Sequence, residues 1–534
     1  MNITIRTRDR KVWEDIKAFG ERSLRQIAQS IGLSKDSVRR SKKALVNRNS
    51  YPESGLWETE EGQAWLCLLV TAVLFEFGLK CNLGADRLSE FFKRIRLEQQ
   101  IGVSPTALRN LLKRLEALVM SYQHEQESQR CGSRREIIAS ADETFFGEVM
   151  ILILMDLSSG YVLIEDQATD RSYETWRGKA QERLQALGLR VRHFVSDRAK
   201  ALIKLATHGF NCAPGADLFH AQYELSKWLG AGLYRRLGSA VNKLKKAQRA
   251  QQCVENRADE HEKAEQLQQA EDQLRQLEQA KQAYSETQQG ISESVHAFSL
   301  EHRGPQTSAK VEEQLQHHAQ MISQLAQAQG IEDNKGRLDK FKNQIKDIAS
   351  IVDVWWLWAT NSLLNEALDE AHQQWLLYTL LPVVYWHQQL QKTQHSALKK
   401  RYRRAWQQAL ALCNAHPLSS SKTVEEIQHW LSWAEWICAK FQRASSSVEG
   451  RNGCLSQMYH NGRGLSLQRL KVLTVIHNFD LKRRDDTTAA ERLFDTSFPD
   501  LFQWLVDHMG ELPVPRQTKG RSFPNPLNAK LVAA

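Results

Sequence analysis

The sequence predicts an α/β core built on a mixed sheet, preceded by an all-α region and interrupted by a large all-α insertion that includes a coiled coil. Three observations predict it. Between residues 137 and 220, apolar runs and helical periodicity follow one another in the order β-β-β-α-β-α. Ahead of them, Ser23–Leu45 has the spacing of two short helices around a tight turn. Behind them, a long tract rich in Gln, Glu, Lys, Ala and then Trp keeps helical spacing to about residue 440. The expected divisions are 1–130, helical; 131–235, first part of the core; 236–440, insertion; 441–500, second part of the core; and 501–534, a basic tail.

The chain has 534 residues, enough for about three or four domains. A formal net charge of +10 points to a polyanionic partner, nucleic acid first, although a merely basic surface gives the same number. Eight cysteines are scattered without a CxxC pair. That pattern suits a reducing compartment and argues against a structural zinc site. The first residues, MNITIRTRDRKVWEDIK, contain no apolar signal core. The apolar clusters near Trp65–Phe77 and Trp375–Trp386 read as too short or too interrupted to cross a bilayer. The expectation is a soluble, cytoplasmic, nucleoid-associated protein.

In SLRQIAQSIGLSKDSVRRSKKAL, Ser23 caps a helix whose apolar face is Leu24, Ile27 and Ala28. Ile31-Gly32-Leu33 makes the turn, and Ser34 caps a second helix bearing Val38, Lys42 and Lys43. This is the layout of a helix-turn-helix, in which the second helix enters the major groove. Ser34, Lys35, Ser37, Arg39 and Arg40 are the candidate DNA contacts; an αα-hairpin used for packing alone is the competing reading. A weaker copy follows, with Gly84–Phe92 and Ser104–Leu115 around IGVS. It reads equally as a second binding unit or as a structural helix pair. Residues 121–135 read as a polar linker.

The strands follow. Ile137–Leu157 reads as two neighbouring strands with Asp142-Glu143 in the first, Gly160–Gln167 as the third and Val191–Val195 as the fourth. Ser172–Leu187 and Ala199–Thr207 read as helices, and Asp217–His220 as a short last strand. Asp142 thus lies in the first strand and Asp197 at the end of the fourth. A carboxylate in a buried strand is costly unless a cation pairs with it. Two carboxylates brought together repel unless a divalent ion bridges them. Glu143 should face the other side of its strand, and Asp156 reads as a turn cap. Glu449, at the start of a probable helix in SSSVEGRNGCLSQMYHNGRG, is the third acid.

ADETFF with Asp142, VSDRAKAL with Asp197, DLFHAQYELSK around His220, VEGRNG with Glu449 and the ending RRDDTTAAERLF resemble the motifs of DDE transposases of bacterial insertion sequences. That family has a ribonuclease-H-like core in which the first and fourth strands lie side by side. The resemblance covers about residues 137–228 and 440–494, together with the helix-turn-helix. It implies that Asp142, Asp197 and Glu449 hold two Mg²⁺ ions, with Mn²⁺ as a substitute, and direct water and then a 3′-hydroxyl at phosphodiester bonds. It implies that Arg198, Lys200 and Arg451 meet DNA phosphates. His220 lies near the scissile phosphate or is an ordinary strand-end histidine.

Residues 198–448 separate the second acid from the third, so a domain must be inserted there. About 238–290 reads as an antiparallel or protruding coiled coil, 291–335 as a tip or return helix, and Phe341–Phe441 as a tryptophan-rich bundle whose rings mostly form core. Arg516 onward reads as a basic arm. The implied protein is a transposase that binds double-stranded element ends as a homodimer or larger assembly. A transposase-derived regulator without catalysis and a structure-specific nuclease are the alternatives.

Overall fold

β1 (Arg135–Phe146), β2 (Val149–Asp156), β3 (Val162–Ala168), β4 (Leu189–Ser196) and β5 (Ala213–Ala216) form one mixed sheet in the order β3-β2-β1-β4-β5. β1, β2 and β3 are antiparallel neighbours, whereas β4 lies parallel to both β1 and β5. The continuous burial of Met150–Asp156 explains why β2 carries an uninterrupted apolar run. The computed structural model describes residues 5–130, 135–253, 257–364, 366–462 and 464–515.

In chain order the helices begin with α1 (Ile5–Phe19), α2 (Leu24–Ile31), α3 (Lys35–Arg48), α4 (Glu60–Val73), α5 (Ala85–Arg94) and α6 (Pro105–Ser128). Around and after the sheet come α7 (Tyr173–Ala186), α8 (Lys200–Lys204), α9 (Leu218–Leu225), α10 (Ala231–Gln251), α11 (Arg257–Ser294), α12 (Ser308–Ala328) and α13 (Arg337–Ser362). The series ends with α14 (Glu370–Trp375), α15 (Leu381–Lys392), α16 (Ser396–Ala415), α17 (Pro417–Ser421), α18 (Val424–Ala439), α19 (Ser446–Gly462), α20 (Leu467–Phe479), α21 (Ala489–Phe494) and α22 (Leu501–His508). Residues 1–129, 454–491 and 495–534 form one unit, and 130–453 with 492–494 form the other.

In the first unit, α1–α3 enclose a small core of Val12, Ile27, Val38 and Leu45. Ser23 and Gln26 form a capping box, and Gly32 ends α2 in the left-handed region at φ 68°, which a side chain would strain. Buried Asp9 and Asp15 are neutralised by Arg48 (3.0 Å) and Arg22 (2.7 Å). The second expected helix pair is present as α5 and α6, but α6 continues to Ser128 with Tyr122, Gln126 and Glu127 buried. Most of the expected linker is therefore packed helix, and Cys131 to Arg134 lie outside the described residues.

α4 continues through a π turn, Leu74–Lys80, into a 21-residue apolar helix. By length and composition it could cross a membrane, correcting the shorter run read from the sequence. Half of its most apolar stretch is buried inside the protein, with Leu66, Val70 and Leu74 fully enclosed. α20 joins this unit rather than the sheet, because Arg469 pairs with Glu116 of α6 at 2.9 Å and Phe479 meets Tyr122 edge-on. The second part of the core is thus shorter than 441–500. The tail also begins later, since Leu501 and Leu505 of α22 are buried; Arg516 onward lies outside the described residues.

In the second unit, β5 precedes the position expected for it, and Asp217 caps α9 instead of lying in a strand. The expected coiled coil is an antiparallel hairpin of α10 and α11. Gly230 lies against Tyr284 at one end, and Lys263 Nζ donates to the Cys253 carbonyl at 2.9 Å at the other. α12 is the return helix. The bundle beyond it is held by buried aromatics, Trp355, Trp375 and Trp386 among them. His296 lies between the Tyr385 and Tyr402 hydroxyls at 2.8 and 2.9 Å, and burial holds its pKa well below the ordinary imidazole value. At the far end of the chain, Arg492 Nε donates to the Ser159 carbonyl at 2.8 Å, and Phe494 meets Tyr161 edge-on.

Candidate functional site

The parallel pairing of β1 and β4 aligns Ser140 with Val195. Two residues beyond that pair come Asp142, still in β1, and Asp197, one residue past the end of β4. Neighbouring strands run about 4.8 Å apart, so the sheet brings the two positions near each other, and the Asp197 charge acts on Asp142. Asp142 is also opposite Ile153, and Ile153 is opposite Glu165. Cross-strand partners project to one face, so Asp142, Ile153 and Glu165 form a row across the sheet. Glu143 points away and pairs with Arg171.

α19 meets this row. Asn452 Nδ2 donates to Asp142 Oδ2 at 2.8 Å. Arg451 Nε and Nη2 grip both oxygens of Glu165 at 2.7 and 2.6 Å. Glu449, one turn before Asn452, is brought to the same place. Its Oε1 lies 3.3 Å from His220 Nε2. The base of α19 is fixed by Asp217, whose carboxylate accepts from Phe219 N (2.7 Å) and His220 N (3.1 Å) on α9. The same carboxylate accepts from Ser445 N (2.9 Å) and Ser445 Oγ ahead of α19.

Burial, with the charges of Glu449, Glu143 and Asp197, raises the pKa of Asp142 to about 6. Asp197 Oδ1 accepts from Ala199 N at 2.9 Å. The intervening Arg198 is held at φ 68°, a strained conformation for a residue with a side chain. The Asn452 Oδ1 is buried and has no hydrogen-bond partner. Asp142, Asp197, Glu449 and the Asn452 amide offer oxygen donors only, the chemistry that suits a hard divalent cation. Among the described residues, no three His, Cys, Asp or Glu side chains are gathered tightly enough to be a ready-made metal site. Glu449 is turned toward His220 instead.

The remaining expectations divide. Asp156 is a turn cap, fully buried, accepting from Ser159 N at 2.8 Å and Ser159 Oγ at 2.5 Å. Ser34 Oγ caps α3 by accepting from Ser37 N at 3.2 Å. Lys35, Arg39 and Arg40 are exposed on α3. Lys200 is exposed and forms no ion pair among the described residues. Two phosphate contacts are corrected. Arg451 is only 3% exposed because Glu165 needs its charge, and Arg198 is paired with Asp347 of α13. His220 lies in a helix, not at a strand end.

Sequence reasoning missed Asp217, Glu165, Ser445 and the role of Asn452. Glu165 had a signal: an acid inside the apolar run VLIEDQ needs a buried cation. Asp217, three residues before His220, had the spacing of a helix cap.

Residues 376–521 match the model of DUF6399, a family of unknown function. The matched segment contains Glu449, Arg451 and Asn452 but neither aspartate. No curated protein matches this chain.

Two outcomes follow. The folded protein holds the Asp142 proton more tightly than the unfolded chain, whose ordinary value is 3.8. That contribution is complete below the ordinary value and is lost as pH rises through about 6. Asp142→Asn should therefore raise the melting temperature in chelator near neutral pH, by up to roughly 3 kcal/mol of stability. The gain should close near pH 4; a gain that does not depend on pH would contradict the raised pKa. Separately, Arg451→Ala should cost roughly 3–5 kcal/mol in urea unfolding, because it strands Glu165. Replacing both partners with Met should recover most of the loss.

Proposed function

We propose that this chain is a DNA transposase of the DDE type, with a ribonuclease-H-like core whose Asp142, Asp197 and Glu449 hold divalent metal, Mg²⁺ or Mn²⁺. The observation that carries the reading is that Asp142 lies in β1 and Asp197 just past the end of the adjacent parallel β4, with the charges of Asp197 and Glu449, the latter from beyond the insertion, both acting on Asp142. The strand order β3-β2-β1-β4-β5 supports it. Asp142, Asp197 and Glu449 would hold the cation, which would supply activation of a nucleophile and stabilisation of the leaving oxygen of a phosphodiester.

The protein side is positioning. Asn452 orients the Asp142 carboxylate through its 2.8 Å hydrogen bond. Arg451 and Glu165 set the height of α19 over the sheet, and Asp217 sets its base. His220 holds Glu449 at 3.3 Å. Exposed Lys200, just beyond Asp197, is placed to meet a phosphate. α3 reads duplex DNA through Lys35, Arg39 and Arg40, and Ser34 and Ser37 shape its first turn. Joining two element ends calls for at least two copies of the chain.

Cleavage of labelled DNA carrying the element's flanking sequence tests this reading. Asp142→Asn, Asp197→Asn and Glu449→Gln should each abolish cutting in Mg²⁺ while duplex binding survives. Binding without cutting by the wild type under any divalent ion would favour the regulator. In the same system, Arg39→Ala and Arg40→Ala should weaken duplex binding, each lowering the slope of log affinity against log salt by about one. An unchanged slope would remove α3 from the DNA interface.

A further inference from the structure

α9, a π turn at Ser226–Gly230 and α10 form one helical run from Leu218 to Gln251. It starts beside the acids, since His220 in its first turn meets Glu449. Three aromatic side chains along it are uncovered: Phe219 (48% exposed), Tyr223 (47%) and Tyr234 (70%). Phe219 and Tyr223, one turn apart, hold their rings parallel, 7° between planes and 6.0 Å between centroids. Lys227, a turn further, sets its ammonium 4.2 Å over the Tyr223 ring.

A cavity of about 320 Å³ is bordered by Asp197, His220, Tyr223, Lys227 and Lys340, so one ring of the ladder and one of the acids share a space. Lys227 and Arg337 both lean on Glu224 at 3.0 Å. Lys340 is exposed and forms no ion pair among the described residues. Beyond the ladder, α10 carries Arg235, Arg236, Lys243, Lys245, Lys246 and Arg249 with no acidic residue. None of these six forms an ion pair among the described residues, although acidic α11 runs alongside.

We infer that this helical run is a track for an unpaired DNA strand leading to the acids. Bases lie against Phe219 and Tyr223, and phosphates meet Lys227, Lys340 and the cations of α10. Half-exposed aromatic rings pair with exposed bases, which a duplex hides and a single strand offers; a basic rail beside them follows the backbone. The row of α10 cations, free of contact ion pairs among the described residues, favours a polyanion over an apolar protein partner. The inference rests on the reading of this protein as a DNA enzyme.

The test is binding of short labelled oligothymidine to the full chain in chelator, beside a duplex control. The double variant Phe219→Ala/Tyr223→Ala should bind oligothymidine about tenfold or more weakly, with duplex affinity unchanged. Tyr223→Phe should bind like wild type. An abasic strand of equal length should show no difference between wild type and the double variant. Should the double variant melt early, Lys340→Glu at its exposed position should give the loss instead. Equal oligothymidine binding by wild type and the ring and Lys340 variants, or none by wild type, overturns the track. Tighter binding of oligouridine overturns the choice of DNA. If ring-dependent binding holds but no divalent ion supports cutting, the track stands and the transposase reading falls. Acid-dependent cutting without ring dependence gives the opposite result.

Discussion

The buried pair of Arg451 and Glu165 determines where the third acid of this protein can sit. Both groups are almost wholly removed from water, so neither tolerates loss of the other. Glu165 is fixed in β3, in line with Asp142 across the sheet. Arg451 is fixed in α19, two residues after Glu449. Satisfying the pair therefore docks α19 on the row of side chains that contains Asp142. Asn452 and Asp217 then remove the remaining freedom, one by orienting a carboxylate and the other by tying the start of α19 to the start of α9. A helix separated from the last strand of the sheet by residues 217–445 is placed by polar contacts, not by apolar burial alone.

This arrangement concentrates negative charge. Asp142 stays protonated to about pH 6 because it is buried near other carboxylates. Acids that repel one another cost stability, and functional sites are where such costs are concentrated. The strained Arg198 beside Asp197 belongs to the same pattern. Positive charge lies near them too: Lys200 is exposed, and the cations of α10 form no ion pair among the described residues.

Much of the sheet was legible because strand burial writes itself into apolar runs. Val149–Met155 and Val191–Val195 announced their strands, and the order of elements placed Asp142 and Asp197 on neighbours. The α2–turn–α3 pair was legible from Ser23, Gly32 and Ser34, whose capping chemistry is local. The docking of α19 was not. Arg451 reads as a phosphate ligand in a Gly-rich basic segment, and only the structure pairs it with an acid far away in the chain. Asp217 was hidden for a related reason. A capping aspartate and a strand-end aspartate look alike until the hydrogen bonds to Phe219, His220 and Ser445 are known. The linker at 121–128 failed because its polar surface concealed buried Tyr122, Gln126 and Glu127.

The central claim is that Asp142, Asp197 and Glu449 form one divalent-cation site. Mn²⁺ binding followed by electron paramagnetic resonance, on wild type and on Asp142→Asn, measures it without DNA or turnover. The claim predicts saturable Mn²⁺ binding by the wild type, competed by Mg²⁺ and lost in the variant. Equal binding by both proteins, or none by the wild type, would contradict it.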